Sequence, residues 1–349
     1  MRVIAAPSMP TGDHLRNSHE KQNSRANTAL LTRWPCATSE RACAQARRLG
    51  WDLVVGDARR ASRGLRRTRR GGYVRRRLVA VSGFVMVVMA VLVGVPALVS
   101  GVSARGARVV RFTINGPLVH QVLPVAAVIP GGAAGLRRPL LVFLHGKGGN
   151  ENSSINGELF AALARLGTRA PDVVFPYGGA DSYWHDRADG AWGSYVLREV
   201  IPQAISRLHA DGDRVAIGGV SMGGFGALDI ARLQPGRFCA VGGHSAALWL
   251  SGAQSAAGAF DNAEDFARND VIAAARRRNP YPGLAVWLDV GTQDPFRAAD
   301  TTLAQLLRAD GSPVQFHVWP GLHSLTYWNS HWGNYLQFYA TALANCGHH

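Results

Sequence analysis

Val215-Ala-Ile-Gly-Gly-Val-Ser-Met-Gly-Gly-Phe-Gly-Ala-Leu228 reads as an apolar strand, a sharp turn carrying one serine, and the start of a helix. Within it, Gly219-Val-Ser-Met-Gly223 has glycine two residues before and two after Ser221. A serine on so tight a turn has a strained backbone, and its flanking residues crowd together, so glycine is favoured at both. The turn lifts the hydroxyl clear of the sheet and sets it at a helix N-terminus, where free N–H groups favour developing negative charge. Ser221 is therefore the candidate nucleophile and the Met222 N–H a candidate oxyanion donor. In a chain with 40 glycines the pentapeptide alone is weak, and the reading rests on what surrounds it.

Around this segment, strand-like and helix-like patterns alternate from about residue 108, which predicts an α/β fold with a mainly parallel central sheet and helices on both faces. Val109–Ile114 and Gln121–Ile129 read as an antiparallel pair. Leu140–Leu144, Asp172–Pro176, Val215–Gly219, Phe238–Gly242, Leu284–Val290 and Val314–Trp319 read as further strands. Helical spacing covers Gly157–Leu166, Gly193–Leu208, Gly224–Leu233, Asp300–Arg308 and Ser324–Leu343. The long connection 245–282 contains one helix-like stretch, Ala263–Arg278, and is expected to pack over the site as a cap.

Ligands of open α/β sheets bind beyond the carboxyl ends of the strands, so functional residues should follow predicted strands. His145-Gly-Lys-Gly-Gly149 follows Leu140–Leu144, and the Lys147 N–H is the candidate second oxyanion donor. The segment lacks the G-x-x-x-x-G-K-[ST] spacing of a phosphate loop. Asp289-Val-Gly-Thr-Gln-Asp-Pro295 follows the next-to-last strand; Asp294 lies in the loop, able to orient a histidine, whereas Asp289 lies within the strand and is read as structural. Trp319-Pro-Gly-Leu-His-Ser324 follows the last strand and supplies His323 as candidate general base. His145, Trp184, Trp192 and Trp328 are candidates for the substrate pocket. Neither a metal site nor a cofactor is expected, since H-E-x-x-H and dense His/Cys/Asp spacing are missing from the sequence.

The order Ser221, Asp294, His323 is that of the α/β-hydrolases. At Gly219–Leu228, Leu144–Gly146, Gly291–Pro295 and Pro320–His323 with Trp328, the chain resembles the esterase D and antigen 85-like branch of that superfamily. The resemblance spans about residues 110–343. It implies the α/β-hydrolase fold and a serine esterase acting on acyl esters through a Ser-His-Asp triad and an acyl-enzyme. The branch also holds acyltransferases that move an acyl group to a sugar or lipid of the cell envelope, and this is the alternative expectation. A non-catalytic envelope protein on the same scaffold is the third.

The net charge of +15 belongs to the front of the chain: residues 1–104 carry 18 Lys+Arg against 5 Asp+Glu, the remainder 20 against 18. Residues 1–77 have no sustained period and read as a disordered basic cytoplasmic leader, or as sequence preceding a downstream start near Val74. Arg66–Arg77 holds seven arginines in twelve residues and abuts the uncharged 23-residue run Leu78–Ser100, long enough to cross a bilayer. The arginines keep the N-terminus in the cytoplasm and send residues 105–349 outward, anchored to the membrane through 78–100 or secreted after cleavage near Ala104. With no aromatic interleaving, the arginine cluster is not read as a nucleic-acid site. Cys36 and Cys43 fall in the leader; Cys239 and Cys346 fall in the exported part, either as two thiols or as a disulfide.

Overall fold

A computed structural model describes residues 103–132 and 135–347, so the expected leader 1–77 and apolar segment 78–100 lie outside the described residues. Among the described residues no helix is long and apolar enough to cross a membrane. The chain begins with β1 (Ser103–Ala104) and β2 (Ala107–Gly116), and returns antiparallel as β3 (Gln121–Ile129). There follow β4 (Pro139–Leu144), α1 (Gly157–Leu166), β5 (Asp172–Pro176) and a small hairpin of β6 (Asp186–Arg187) and β7 (Gly190–Ala191). Then come α2 (Trp192–Tyr195), α3 (Ile201–Leu208), β8 (Asp211–Val220), α4 (Met222–Leu233) and β9 (Ala240–His244). The last third holds α5 (Ala263–Asn269), α6 (Val271–Arg277), β10 (Ala285–Gly291), α7 (Arg297–Ala309), β11 (Val314–Trp319), α8 (Leu325–Ser330) and α9 (Trp332–Ala344).

The large strands form one sheet in the order β1-β2-β3-β5-β4-β8-β9-β10-β11. From β5 to β11 every pairing is parallel, so all these strands present their carboxyl ends at one edge. Buried on both faces, they read as continuous apolar runs. The two-residue period of a strand divides β4 between two cores: Leu140, Val142 and Leu144 pack on one face, Leu141 and Phe143 on the other. Each such leucine contributes about 1.5–3 kcal/mol relative to exposure. The first face is covered by α3, α4, α6 and α7, the second by α1 and α9.

Three expected helices differ in detail. The stretch Gly193–Leu208 starts one residue earlier and passes through a π-helical turn at Val196–Val200, next to Pro202, whose ring nitrogen has no proton to give the ladder. Ala263–Arg278 is two helices, because Asp270 is extended and its carboxylate accepts from Ala273 N–H, capping α6 as a new start. Ser324–Leu343 breaks at His331 between α8 and α9. The 245–282 connection packs its aromatic residues against α4: Phe260 and Trp249 both meet Phe225.

Candidate active site

Strand β8 delivers Ser221 with φ 54° and ψ −117°, and α4 begins at the next residue. A positive φ at a non-glycine residue is strained, of order 1–3 kcal/mol, and persists only when its surroundings hold it. Here Ser221 N–H donates to His244 O at 3.0 Å, and Ser221 O accepts from Phe225 N–H at 3.0 Å and Ala247 N–H at 2.9 Å. The flanking glycines let the turn close: a Cβ on Gly219 would lie 2.6 Å from the Gly223 carbonyl, and one on Gly223 would overlap the Leu144 carbonyl oxygen.

The parallel pairing of β10 and β11 brings the next two residues together. Beyond the strand ends the loops continue the ladder: Thr292 N–H donates to Trp319 O at 2.8 Å and Gln293 N–H to Gly321 O at 2.9 Å. His323 Nδ1–H then donates to Asp294 Oδ2 at 2.9 Å, and Ser221 Oγ–H donates to His323 Nε2 at 2.8 Å. Burial alone would raise the Asp294 carboxyl; the hydrogen bonds from His323 and from Phe296 N–H outweigh it and hold that group below its ordinary value. Asp300 is enclosed nearby, and burial first, then the neighbouring Asp294 and Asp289, push its carboxyl well above the usual range. The rings of Phe296 and Trp328 stand edge-on to His323 at 5.1 and 4.9 Å, leaving the imidazole about a quarter exposed.

The loop after β4 runs over the serine: a Cβ on Gly146 would stand 3.3 Å from Ser221 Cβ. Gly149 N–H donates to Gly146 O at 2.9 Å and Gly148 N–H to Ala180 O at 2.6 Å. Among the described residues neither Lys147 N–H nor Met222 N–H has a hydrogen-bond acceptor; Met222 directly follows Ser221, and Lys147 directly follows Gly146, which passes against that serine. His145 braces the loop. Its Nδ1–H donates to Gly146 O at 2.9 Å, its Nε2 accepts from Gly178 N–H at 3.1 Å, and Trp184 Nε1–H donates to His145 O at 3.1 Å. Burial pulls the imidazole down to about 4, against a smaller opposing effect of the Gly146 bond. The ring is thus neutral, with the tautomer its two bonds require.

Four pocket candidates divide. Trp328 stays at the site beside His323. Trp184 is a correction: it is fully buried, seated where Cβ atoms on Gly178 and Gly226 would collide with its ring. Trp192 is another, buried edge-on to Tyr195 with its Nε1–H on Asp189 Oδ1 at 3.1 Å. His145 is buried too and supports the loop instead of lining a pocket.

A second histidine–carboxylate pair went unread in the sequence. His244 Nδ1–H donates to Asp289 Oδ1 at 2.6 Å, and Asp289 also accepts from Trp287 Nε1–H, Tyr327 OH and Tyr335 OH at 2.7, 3.0 and 2.9 Å. The Tyr339 hydroxyl donates to His244 Nε2 at 2.9 Å. Both His244 and Asp289 are wholly enclosed, so the network meets no substrate; it ties α8 and α9 to the sheet under the triad. The signal for it was a histidine and an aspartate at facing positions of β9 and β10, visible only once Asp289↔His244 register is known. Among the described residues no three His, Cys, Asp or Glu side chains converge as a metal site.

The profile of the family described as Putative esterase matches residues 120–334. Among solved structures, a ferulic acid esterase superposes with a TM-score of 0.60 and 22% identity, over 68% of this chain and 98% of that one. An S-formylglutathione hydrolase from Agrobacterium tumefaciens gives 0.59 and 19%, over 70% and 99%. MPT51 of Mycobacterium tuberculosis gives 0.53 and 19%, over 66% and 97%. At these identities the likeness is one of fold. No curated protein matches the chain in sequence.

Proposed function

Because the chain belongs to this esterase family of the α/β-hydrolases, we propose that it is an exported serine esterase that hydrolyses acyl esters through Ser221, His323 and Asp294. The observation that carries the proposal is the unbroken hydrogen-bond chain Ser221–His323–Asp294; the N–H groups of Met222 and Lys147, which have no acceptor among the described residues, are the oxyanion donors of this reading. Ser221 Oγ attacks the ester carbonyl carbon while its proton passes to His323 Nε2. The Asp294 carboxylate fixes the tautomer of His323 and stabilises the imidazolium. The carbonyl oxygen, now negative, is held by the two N–H groups until the alcohol leaves with the proton from His323. Water, deprotonated by the same histidine, then releases the acid and restores Ser221.

Export is supported by the arginine-flanked apolar run and by the Cys239–Cys346 disulfide, a bond at home in an oxidising compartment. Ser221→Ala is expected to lower kcat on p-nitrophenyl esters about 10,000-fold or more with an unchanged Tm, and to abolish labelling by a fluorophosphonate probe. Undiminished labelling of that variant defeats the assignment. Product analysis with a sugar acceptor present is expected to give free acid; an acylated sugar as the main product would identify a transferase instead.

A further inference from the structure

The chain has 38 lysines and arginines, and only Lys21 and Lys147 are lysines. Lys147 is thus the one lysine of the described residues, and it stands on the loop that runs over Ser221. Elsewhere among the described residues the cation is arginine, and four arginines are paired with carboxylates: Arg187 with Asp189 and Asp261, Arg214 with Asp211, Arg232 with Asp229, Arg268 with Asp265. Lys147 is exposed and, among the described residues, has no carboxylate within 4 Å. Its Nζ lies over the Tyr183 ring, 6.0 Å from the centroid.

Tyr183 is itself buried and begins a run of aromatic rings that passes through the half-buried Trp249 and Phe296 and ends at the histidine. Tyr183 meets Trp249 at 5.7 Å, Trp249 meets Phe296 at 5.7 Å, and Phe296 meets His323 at 5.1 Å. These rings carry no charge of their own, so an ionic contact made against them is less screened than one in open water. Of the charged groups that act on Tyr183, Asp181 is exposed and Arg187 is already paired. A lysine ammonium is a compact charge on a flexible stem, suited to meeting a mobile ligand group where a guanidinium fork would demand a fixed partner.

Resting on the esterase reading, we propose that Lys147 is a specificity-determining residue whose ammonium binds an anionic group of the substrate. The preferred ester then carries a carboxylate or phosphate near the scissile bond, with the half-buried rings of Trp249 and Phe296 receiving the carbon skeleton between them. The role is separate from that of the Lys147 main chain, whose N–H survives any substitution except proline.

The test uses matched pairs on the purified full-length protein. For charge on the acyl side, p-nitrophenyl hydrogen succinate is compared with its methyl ester; for charge on the alcohol side, 4-acetoxybenzoate is compared with its methyl ester. The quantity read is the ratio of kcat/KM for the charged to the neutral member. In Lys147→Gln that ratio should fall about tenfold for one of the pairs, in Lys147→Glu it should fall further, and Lys147→Arg should keep most of it. Raising the ionic strength from about 0.05 to 0.5 M should compress the wild-type ratio and leave that of Lys147→Gln alone. Hydrolysis of all four esters with the same ratios in wild type and Lys147→Gln overturns the role of Lys147 alone. Failure of wild type to hydrolyse any of them overturns the esterase reading beneath it.

Discussion

Asp289 and Asp294 are five residues apart on one strand and its following loop, yet their surroundings divide their work. Asp294 makes one side-chain bond to His323, so its charge is directed at the imidazole. Asp289 is a hub with four donors and no route to solvent. Asp294→Asn should therefore cost about 10,000-fold in kcat, by leaving His323 in the wrong tautomer, with little loss of stability. Asp289→Asn should behave in the opposite way: removing the charge from a buried, fully bonded pair costs about 3–5 kcal/mol, seen as a lower Tm, while the remaining folded protein turns over normally. Equal loss of activity at both positions would refute the division. The pairing of Asp294 with His323 was legible because Asp294 sits in a Gly-containing turn after a strand. The role of Asp289 as a hub was not, because its partners arrive from β9, α8 and α9 and no local pattern announces them.

At the scale of elements, the loop after β4 shows what patterning hides. Its glycines signalled a close approach, and Gly146 does pass against Ser221. Trp184, which looked like a pocket residue beside Tyr183 and His185, instead fills space vacated by Gly178 and Gly226 and holds the loop through His145 O. Two glycines 48 residues apart share one indole, and sequence offers no means of pairing them. The loop also carries a pH dependence. Histidine ordinarily titrates near 6.5, and His145 is pulled to about 4, so between these values the unfolded chain binds the proton that the folded loop refuses. That stability is present above about pH 6.5 and is lost as pH falls through about 4. His145→Gln, whose side-chain oxygen can accept from Gly178 N–H, should have a lower Tm than wild type at pH 7.5. The gap should narrow steadily towards pH 4; parallel Tm curves would show that the imidazole is not the titrating group.

Across the whole molecule, parallel strands give the sheet two unlike edges. The carboxyl ends of β4, β8, β10 and β11 hold the glycine loop, Ser221, the Asp294 turn and the His323 loop, in keeping with the expectation that functional residues follow parallel strands; the order of the strands in the sheet was not legible in the sequence. At the opposite edge, the amino end of β9 is joined to the segment after α9 by Cys239–Cys346, with Cα atoms 5.5 Å apart and a sequence separation of 107. Spacing could not decide between bridge and thiols, because the contact depends on α9 lying along the sheet. It does so because Gly218 and Gly242, side by side in register, leave room for the Tyr339 hydroxyl that bonds His244. The bridge thus secures a helix that the buried network already holds. Closing so long a loop restricts the unfolded chain and is worth about 3 kcal/mol, with an entropic ceiling near 4.7. Reduction, or the double change Cys239→Ser with Cys346→Ser, should lower Tm by about 6–12 °C. Because bond and triad lie at opposite ends of the strands, kcat/KM at 25 °C should change less than twofold. A reduced protein that keeps its Tm but loses ester hydrolysis would instead mean that α9 positions the histidine loop through the disulfide, and not through Tyr335, Tyr339 and Asp289.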